Sequence, residues 1–173
     1  MLPAMKREWT YGLVLAVAAA LAGMVFLPVA EAALGGTGAG SALARLAFAR
    51  VCHQDPARSL IIAGALLPVC ARCAGIYLGF FIGFSGRLLL RAPDRDRPLP
   101  RATMALGFAP LCLDGALNAA GLLATPPELR LVTGLIFGIV AARALWPALL
   151  DAGAGLRLPR LRSRRAAPGE TGG

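Results

Sequence analysis

Long uncharged apolar runs alternate with short charged segments along this chain. Thr10 to Ala30 contains no charged residue. At 1.5 Å of helical rise per residue, such a run crosses the ~30 Å hydrocarbon core of a bilayer. Comparable runs cover about 70–90, 102–123 and 131–150, separated by a charged Pro-rich segment (91–101) and by Thr125-Pro126-Pro127-Glu128. The pattern predicts an all-α polytopic membrane protein: a four-transmembrane-helix bundle forming one membrane domain over 1–150. Residues 151–173 read as a basic, mostly disordered tail.

Residues 31–69 form an outer loop expected to pack on the second helix. Gly35-Gly36-Thr37-Gly38-Ala39-Gly40 opens it flexibly. Ser41 is expected to cap a short helix reaching Ala49, with Leu43, Leu46 and Ala47 on one side. Pro56 forces a turn. The apolar stretch Leu60–Val69 is too short to span and is expected to tuck against the helices or dip into the interface. Ala30-Glu31-Ala32 also has the small-x-small form of a signal-peptide cleavage site. The preceding run is longer than a signal core, which favours a retained helix; cleavage of residues 1–32 is the alternative.

Composition agrees with a membrane protein. The 173 residues are 57% hydrophobic and only 16% charged, with a mean hydropathy of +0.67. The net charge of +9 does not indicate nucleic-acid binding, because the basic residues cluster between and after the apolar runs with little aromatic interleaving. Lys6, Arg7, Arg87, Arg91, Arg95, Arg97, Arg101 and the tail residues Arg157, Arg160, Arg162, Arg164 and Arg165 fall on one side. Arg45, Arg50, Arg58, Arg72 and Arg130 fall on the other. The richer side is expected to be cytoplasmic. This predicts a multi-pass protein of a bacterial cytoplasmic (inner) membrane with both termini cytoplasmic. The tail arginines are expected to touch anionic headgroups, at ~1 kcal/mol per charge.

The candidate chemistry lies outside. Cys52, His53, Cys70 and Cys73 offer a Cys3His donor set, a recognised zinc arrangement, and C-x-x-C spacing lets two sulfurs turn towards one ion. Four protein ligands would make the site structural. A second reading is thiol–disulfide exchange: the outer face is oxidising, and Cys70 and Cys73 flank Arg72 at a helix N-terminus, which favours thiolate. A third is a permanent disulfide from Cys52 to Cys70 or Cys73. Cys112, mid-helix, is expected to be a small buried packing residue.

Gly75, Gly79 and Gly83 on the second helix, and Gly134 and Gly138 on the fourth, form small-xxx-small rows suited to close helix packing. Asp114 and Asn118 share one face of the third helix. A carboxylate in hydrocarbon costs ~2.5–3.5 kcal/mol on insertion scales, so it needs a partner or a task. Arg130 is expected to reach Asn118 and Asp114; Arg143 is the other candidate. Counted to Leu123, Asp114 lies ~13 Å from the outer end of its helix.

Taken together, Cys52-His53-Gln54, Arg58-Ser59, the Cys70-x-Arg72-Cys73-x-Gly75-x-Tyr77-x-Gly79 run, Asp114-Gly115 and Arg130-x-x-Thr133-Gly134 resemble an uncharacterised prokaryotic membrane family, domain of unknown function 2085. The resemblance covers roughly residues 45–140 and implies a membrane location without an activity. Gln54, Arg58, Ser59 and Arg72 then read as supporting residues of the Cys/His cluster. Phosphate loops, G-x-S-x-G and H-E-x-x-H are not found. Four helices are few for an inverted-repeat transporter unless the chain forms a homo-oligomer.

Overall fold

The structure is a computed structural model. It describes the backbone of residues 4–90 and 99–155 and the side chains of 8–86 and 99–152. The expectations for the charged turn at 91–98, the arginine tail and the side chain of Arg87 lie outside the described residues. The chain order is α1 (Ala4–Ala33), α2 (Ala39–Phe48), a single 3-10 turn (Pro56–Arg58), β1 (Ser59–Ile62), β2 (Ala65–Cys70), α3 (Ala71–Leu90), α4 (Arg101–Ala119) and α5 (Pro127–Gly155). The fold is thus mostly helical. The all-α expectation needs one correction: Leu60–Val69 does tuck against the helices, but as part of an antiparallel hairpin whose second strand packs on α1 and α3.

The hairpin pairs Ser59 with Cys70, Ile61 with Leu66 and Ile62 with Ala65. Ala63 and Gly64 make its two-residue turn with φ of 50° and 78°. Two successive left-handed residues match the twist of antiparallel strands. The hairpin ends at Cys70 and α3 begins at Ala71, so the C-x-x-C pair straddles a strand-to-helix junction.

Among the described residues, Glu8–Ala33 and Pro127–Ala152 are long and apolar enough to cross a membrane. Each contains an internal proline, Pro28 and Pro147, tolerated in lipid-embedded helices where neighbours satisfy the freed carbonyl. The third expected span is shorter than its apolar run. Gly121 adopts φ 69°, and Leu122 N–H bonds back to the Leu117 carbonyl, closing α4 with a Schellman-type cap. Asp114 is therefore ~7–8 Å from the helix end, not ~13 Å.

α3 and α5 form the most extensive helix pair, with α1 against α3 and α4 against α5. A Cβ on Gly75 would strike the Leu131 carbonyl oxygen, and one on Gly134 would strike that of Arg72. A Cβ on Gly79 would come within 2.9 Å of the Gly138 Cα. Backbone meets backbone along this seam, a distance only glycine allows. At the end of the bundle away from the hairpin, Phe84, Trp146, Ala142 and Ala18 are buried together, and Tyr11 donates a hydrogen bond to the Phe84 carbonyl at 3.1 Å. α4 rests on α5 through Gly107 under Val140 and a Phe108–Phe137 ring pair 4.8 Å apart. Its other faces leave Leu106 and Leu113 exposed. Cys112 is exposed as well, which corrects its expected burial.

The connection over residues 34–70 is a packed module. Val25, Phe48, Cys52, Leu67, Val69 and Ala74 make one buried cluster drawn from α1, α2, the loop after it, β2 and α3. α2 begins after Gly38, and its open N–H groups are capped from α1, not by Ser41. Glu31 accepts from the N–H groups of Gly40 at 3.0 Å and Ser41 at 2.8 Å, and from the Ser41 hydroxyl at 2.7 Å. Ala44 and Phe48 are the buried side of α2. Leu43, Leu46 and Ala47, expected on one side of the helix, are all exposed, as are Val51, Ile61 and Ile62.

Candidate functional site

Three cysteine sulfurs converge where the loop, β2 and α3 meet. Those of Cys52, Cys70 and Cys73 all lie within 4.8 Å of one another. Cys52 is carried there by the end of α2, whose last turn is continued by Val51 and Cys52 N–H groups bonding to the Phe48 carbonyl. Its sulfur is buried and accepts the Cys70 N–H at 3.2 Å. Cys70 ends β2, and Cys73 sits in the first turn of α3. All three are free thiols. Tyr77, one turn after Cys73, stacks at a tilt on Phe48 and packs against the cluster.

Cys70 lies outside α3 and is ionised far below the usual thiol range. The Cys73 thiol donates to it; against the cost of burial, the Cys73 N–H, the Cys52 thiol and the Arg72 N–H add to that effect, bringing it down to about 5. A thiolate persists above that pH and is lost as pH falls through it. In metal-stripped protein, alkylation of Cys70 should therefore change less than about twofold between pH 8 and 6, whereas an unperturbed thiol slows about tenfold per unit over that range. Mass-spectrometric site counting after timed iodoacetamide labelling measures both rates. A tenfold-per-unit slope at Cys70 would remove the thiolate.

His53 does not join the three sulfurs. It is exposed on the loop, one residue after Cys52, because consecutive side chains diverge. The chain then reverses: Gln54 adopts φ 51° and its amide donates to the Arg45 carbonyl at 2.6 Å. Asp55 caps the 3-10 turn through the Ala57 N–H at 3.0 Å and pairs with Arg58 at 3.1 Å. Ser59 is buried and donates to the Asp55 carbonyl at 2.9 Å. These residues hold the loop against β1. His53 and Cys70 share the wall of a cavity of about 280 Å³, with Asp55, Arg58, Arg72 and Arg130.

A buried polar network lies beside the sulfurs. Arg72, between the two cysteines of the C-x-x-C, makes an ion pair with Asp114 on α4; its Nε donates to Oδ2 at 2.9 Å. Thr125 donates to Asp114 Oδ1 at 2.6 Å, and the Asn118 amide donates to the same oxygen at 2.8 Å. Arg130 donates through Nε to the Thr125 carbonyl at 2.9 Å and through Nη2 to Asn118 Oδ1. Thr133 donates to the Arg130 carbonyl at 3.1 Å. Arg130 thus meets Asn118 and acts on Asp114 through its charge, while the arginine paired directly with Asp114 is Arg72. Arg72 and Thr125 are the network members that sequence reasoning missed. The weak available signal was Arg72 itself, a charge at the mouth of an apolar helix.

The C-x-x-C head of α3, the C-terminal turns of α4 and the first turns of α5 therefore sit at one end of the molecule. Chemically, the end offers three soft sulfur donors beside a cavity with three arginines among its lining residues.

Comparison with known proteins follows the same residues. The chain is 31% identical to an uncharacterised protein of Methanocaldococcus jannaschii over 104 residues, covering 60% of this chain and 67% of that one. It is 35% identical to an uncharacterised protein of Methanothermobacter thermautotrophicus over 92 residues, covering 53% of this chain and 81% of the other. Both organisms are archaea, so these relatives lend no support to a specifically bacterial membrane. No solved structure matches. The model of the family described as predicted membrane protein (DUF2085) matches residues 52–143, from Cys52 of the sulfur cluster to Arg143 in α5. On that match the chain belongs to the DUF2085 family of predicted membrane proteins.

Proposed function

We propose that the protein binds a zinc ion at the outer membrane surface through Cys52, Cys70 and Cys73, with the fourth position filled by water or by His53 after the loop that carries it turns inward. The observation that carries this reading is the mutual approach of three sulfurs within 4.8 Å. A tetrahedral site with Zn–S bonds of about 2.3 Å has sulfur–sulfur edges of about 3.8 Å. The three side chains need close by only about 1 Å at most to meet that geometry. The Cys70 N–H on the Cys52 sulfur is the kind of outer-shell hydrogen bond that steadies a metal thiolate. A disulfide, by contrast, would join two of the three at ~2.05 Å and leave the third without a role.

The test is elemental analysis of the full chain purified in detergent without chelator. About one zinc per chain is expected, falling below about a tenth in Cys70→Ser and Cys73→Ser, since loss of one thiolate ligand removes most structural-site affinity. His53→Ala separates a protein fourth ligand from a solvent one: weaker zinc supports imidazole ligation, and unchanged zinc assigns the position to water. Metal-free, folded wild type with three reduced outer thiols overturns the proposal.

One observation favours thiol–disulfide exchange as the second reading: Cys70 ends a strand with its C-x-x-C partner in the next helical turn, where the Cys73 thiol lowers its pKa. It requires a Cys70–Cys73 disulfide that forms and breaks with redox conditions. Thiol counting on the same samples distinguishes it.

For topology, we infer four spans, α1, α3, α4 and α5, with both termini cytoplasmic. The exposed apolar side chains Trp9, Leu13, Val17, Leu106, Leu113, Ile136 and Leu145 support lipid contact on the helices concerned. The basic tail would then lie against anionic headgroups.

A further inference from the structure

We propose that the outward face of α2 is seated in the lipid leaflet at which α1 ends, with Leu43 and Leu46 among acyl chains and Arg45 and Arg50 on anionic phospholipid headgroups. The inference rests on α1 as a membrane span and is independent of zinc.

α2 is apolar on two opposite sides. Ala44 and Phe48 are buried against the rest of the molecule. Leu43 and Leu46 lie on the remaining surface, 59% and 75% exposed, with Ala39, Ala42 and Ala47 exposed beside them. Of its ten residues only Arg45 is charged. A helix that is apolar all round is normally buried all round, so the outward face calls for a cover that the described residues do not supply. Whatever covers it also closes the open side of the helix that delivers Cys52.

Depth along the bundle identifies the cover. α5 begins at Pro127, one turn before Leu131, and Leu131 packs against the cluster that holds Val25 of α1. α1 runs on from Val25 to Ala33, ~12 Å along its axis. α2 lies against that stretch. A Cβ on Gly40 would come within 3.1 Å of the Leu27 side chain, Glu31 accepts from the Gly40 and Ser41 N–H groups, and Phe48 shares the cluster with Val25. The apolar helix Glu8–Ala33 is ~39 Å long, against a hydrocarbon core of ~30 Å. With α5 starting near the level of Val25, the last two turns of α1, and α2 with them, fall where acyl chains give way to headgroups. Helices at that depth bury an apolar face ~5–10 Å into the boundary. Charge fits the same occupant. Arg45 flanks the apolar face and Arg50 follows it, exposed. Among the described residues neither has an ion-pair partner. Arginines beside an apolar face at this level attract anionic lipid, whereas a second copy docked here about a two-fold axis would set them against their own kind.

The experiment uses the full chain in phosphatidylcholine vesicles holding a trace of phospholipid with a photoreactive diazirine in its acyl chain. Adducts are mapped by mass spectrometry. They are expected at Leu43 and Leu46, as at Leu13 and Val17 on the exposed side of α1, and not at the buried Ala44 and Phe48. Diazirine phosphatidylglycerol should label Leu46 about fivefold more than diazirine phosphatidylcholine, the scale of one arginine at an anionic surface, when both are normalised to Leu113 of α4. Arg50→Gln, at an exposed side chain, should cut that preference at least about twofold. Labelled Leu13 and Val17 with an unlabelled α2 overturns the proposal. Cross-links between copies through α2 without lipid adducts assign the face to a second copy and overturn it as well. Equal labelling of wild type by the two lipids overturns the assignment of the arginines to anionic headgroups. Absence of adducts at Leu13 and Val17 too would remove α1 as a span, and the proposal with it.

Discussion

Asp114→Ala is expected to destabilise the protein by about 3–5 kcal/mol, the cost of removing one member of a buried ion pair. Asp114 is 7% exposed and touches Arg72, Asn118 and Thr125, which come from α3, α4 and the loop before α5. Its loss orphans the Arg72 guanidinium and two neutral donors together. Unfolding in mixed detergent followed by tryptophan fluorescence measures the change. Replacing both Asp114 and Arg72 with leucine should cost less than the two single changes added, because no unpaired charge then stays behind. Equal stability of Asp114→Ala and wild type would mean that the pair contributes nothing and the network is decorative.

The second large effect is expected at the α3–α5 seam. Gly79→Val and Gly138→Val should each cost at least about 2–3 kcal/mol, at the upper end for overpacking. A new Cβ at position 79 would lie 2.5 Å from the Leu135 carbonyl oxygen and 2.9 Å from the Gly138 Cα. These are backbone atoms of a helix, so relief requires the helices to separate. Gly115→Ala is the internal control, with nothing within 4 Å of its new methyl; it should be neutral or slightly stabilising by removing glycine's backbone freedom. Gly79→Val and Gly115→Ala behaving alike in thermal unfolding would show that the seam tolerates expansion.

What was legible in the sequence followed the local rules. The recurrence of Gly75, Gly79 and Gly83 with Gly134 and Gly138 is a period-four pattern, visible without knowing which helices meet. Asp114 announced itself through the cost of a carboxylate in an apolar run. The hairpin was hidden for a physical reason. Leu60–Val69 is apolar on both sides, because β2 is buried against α1 and α3 while the tip of β1 faces outward, so the alternation that marks a strand is missing. Its turn is Ala63-Gly64, and alanine at positive φ is not a residue that signals a turn.

Arg72 misled for another reason. A cation between two cysteines reads as a modifier of thiol acidity, yet its side chain reaches a residue 42 positions away on another helix. Thr125 reaches the same carboxylate from the loop after α4, which ends at Ala119 just before Gly121 at positive φ. His53 stands apart from the sulfurs because adjacency in sequence opposes shared direction, and the reversal at Gln54 comes one residue too late to bring it round.

The first helix contributes more than an anchor. Val25 is completely buried beside Cys52, and the Glu31 carboxylate supplies the cap of α2. A peptidase acting at Ala30-Glu31-Ala32 would carry off both. The sulfur pocket would lose one of its walls and the helix delivering Cys52 would lose its seat, so processing there would dismantle the centre instead of maturing it.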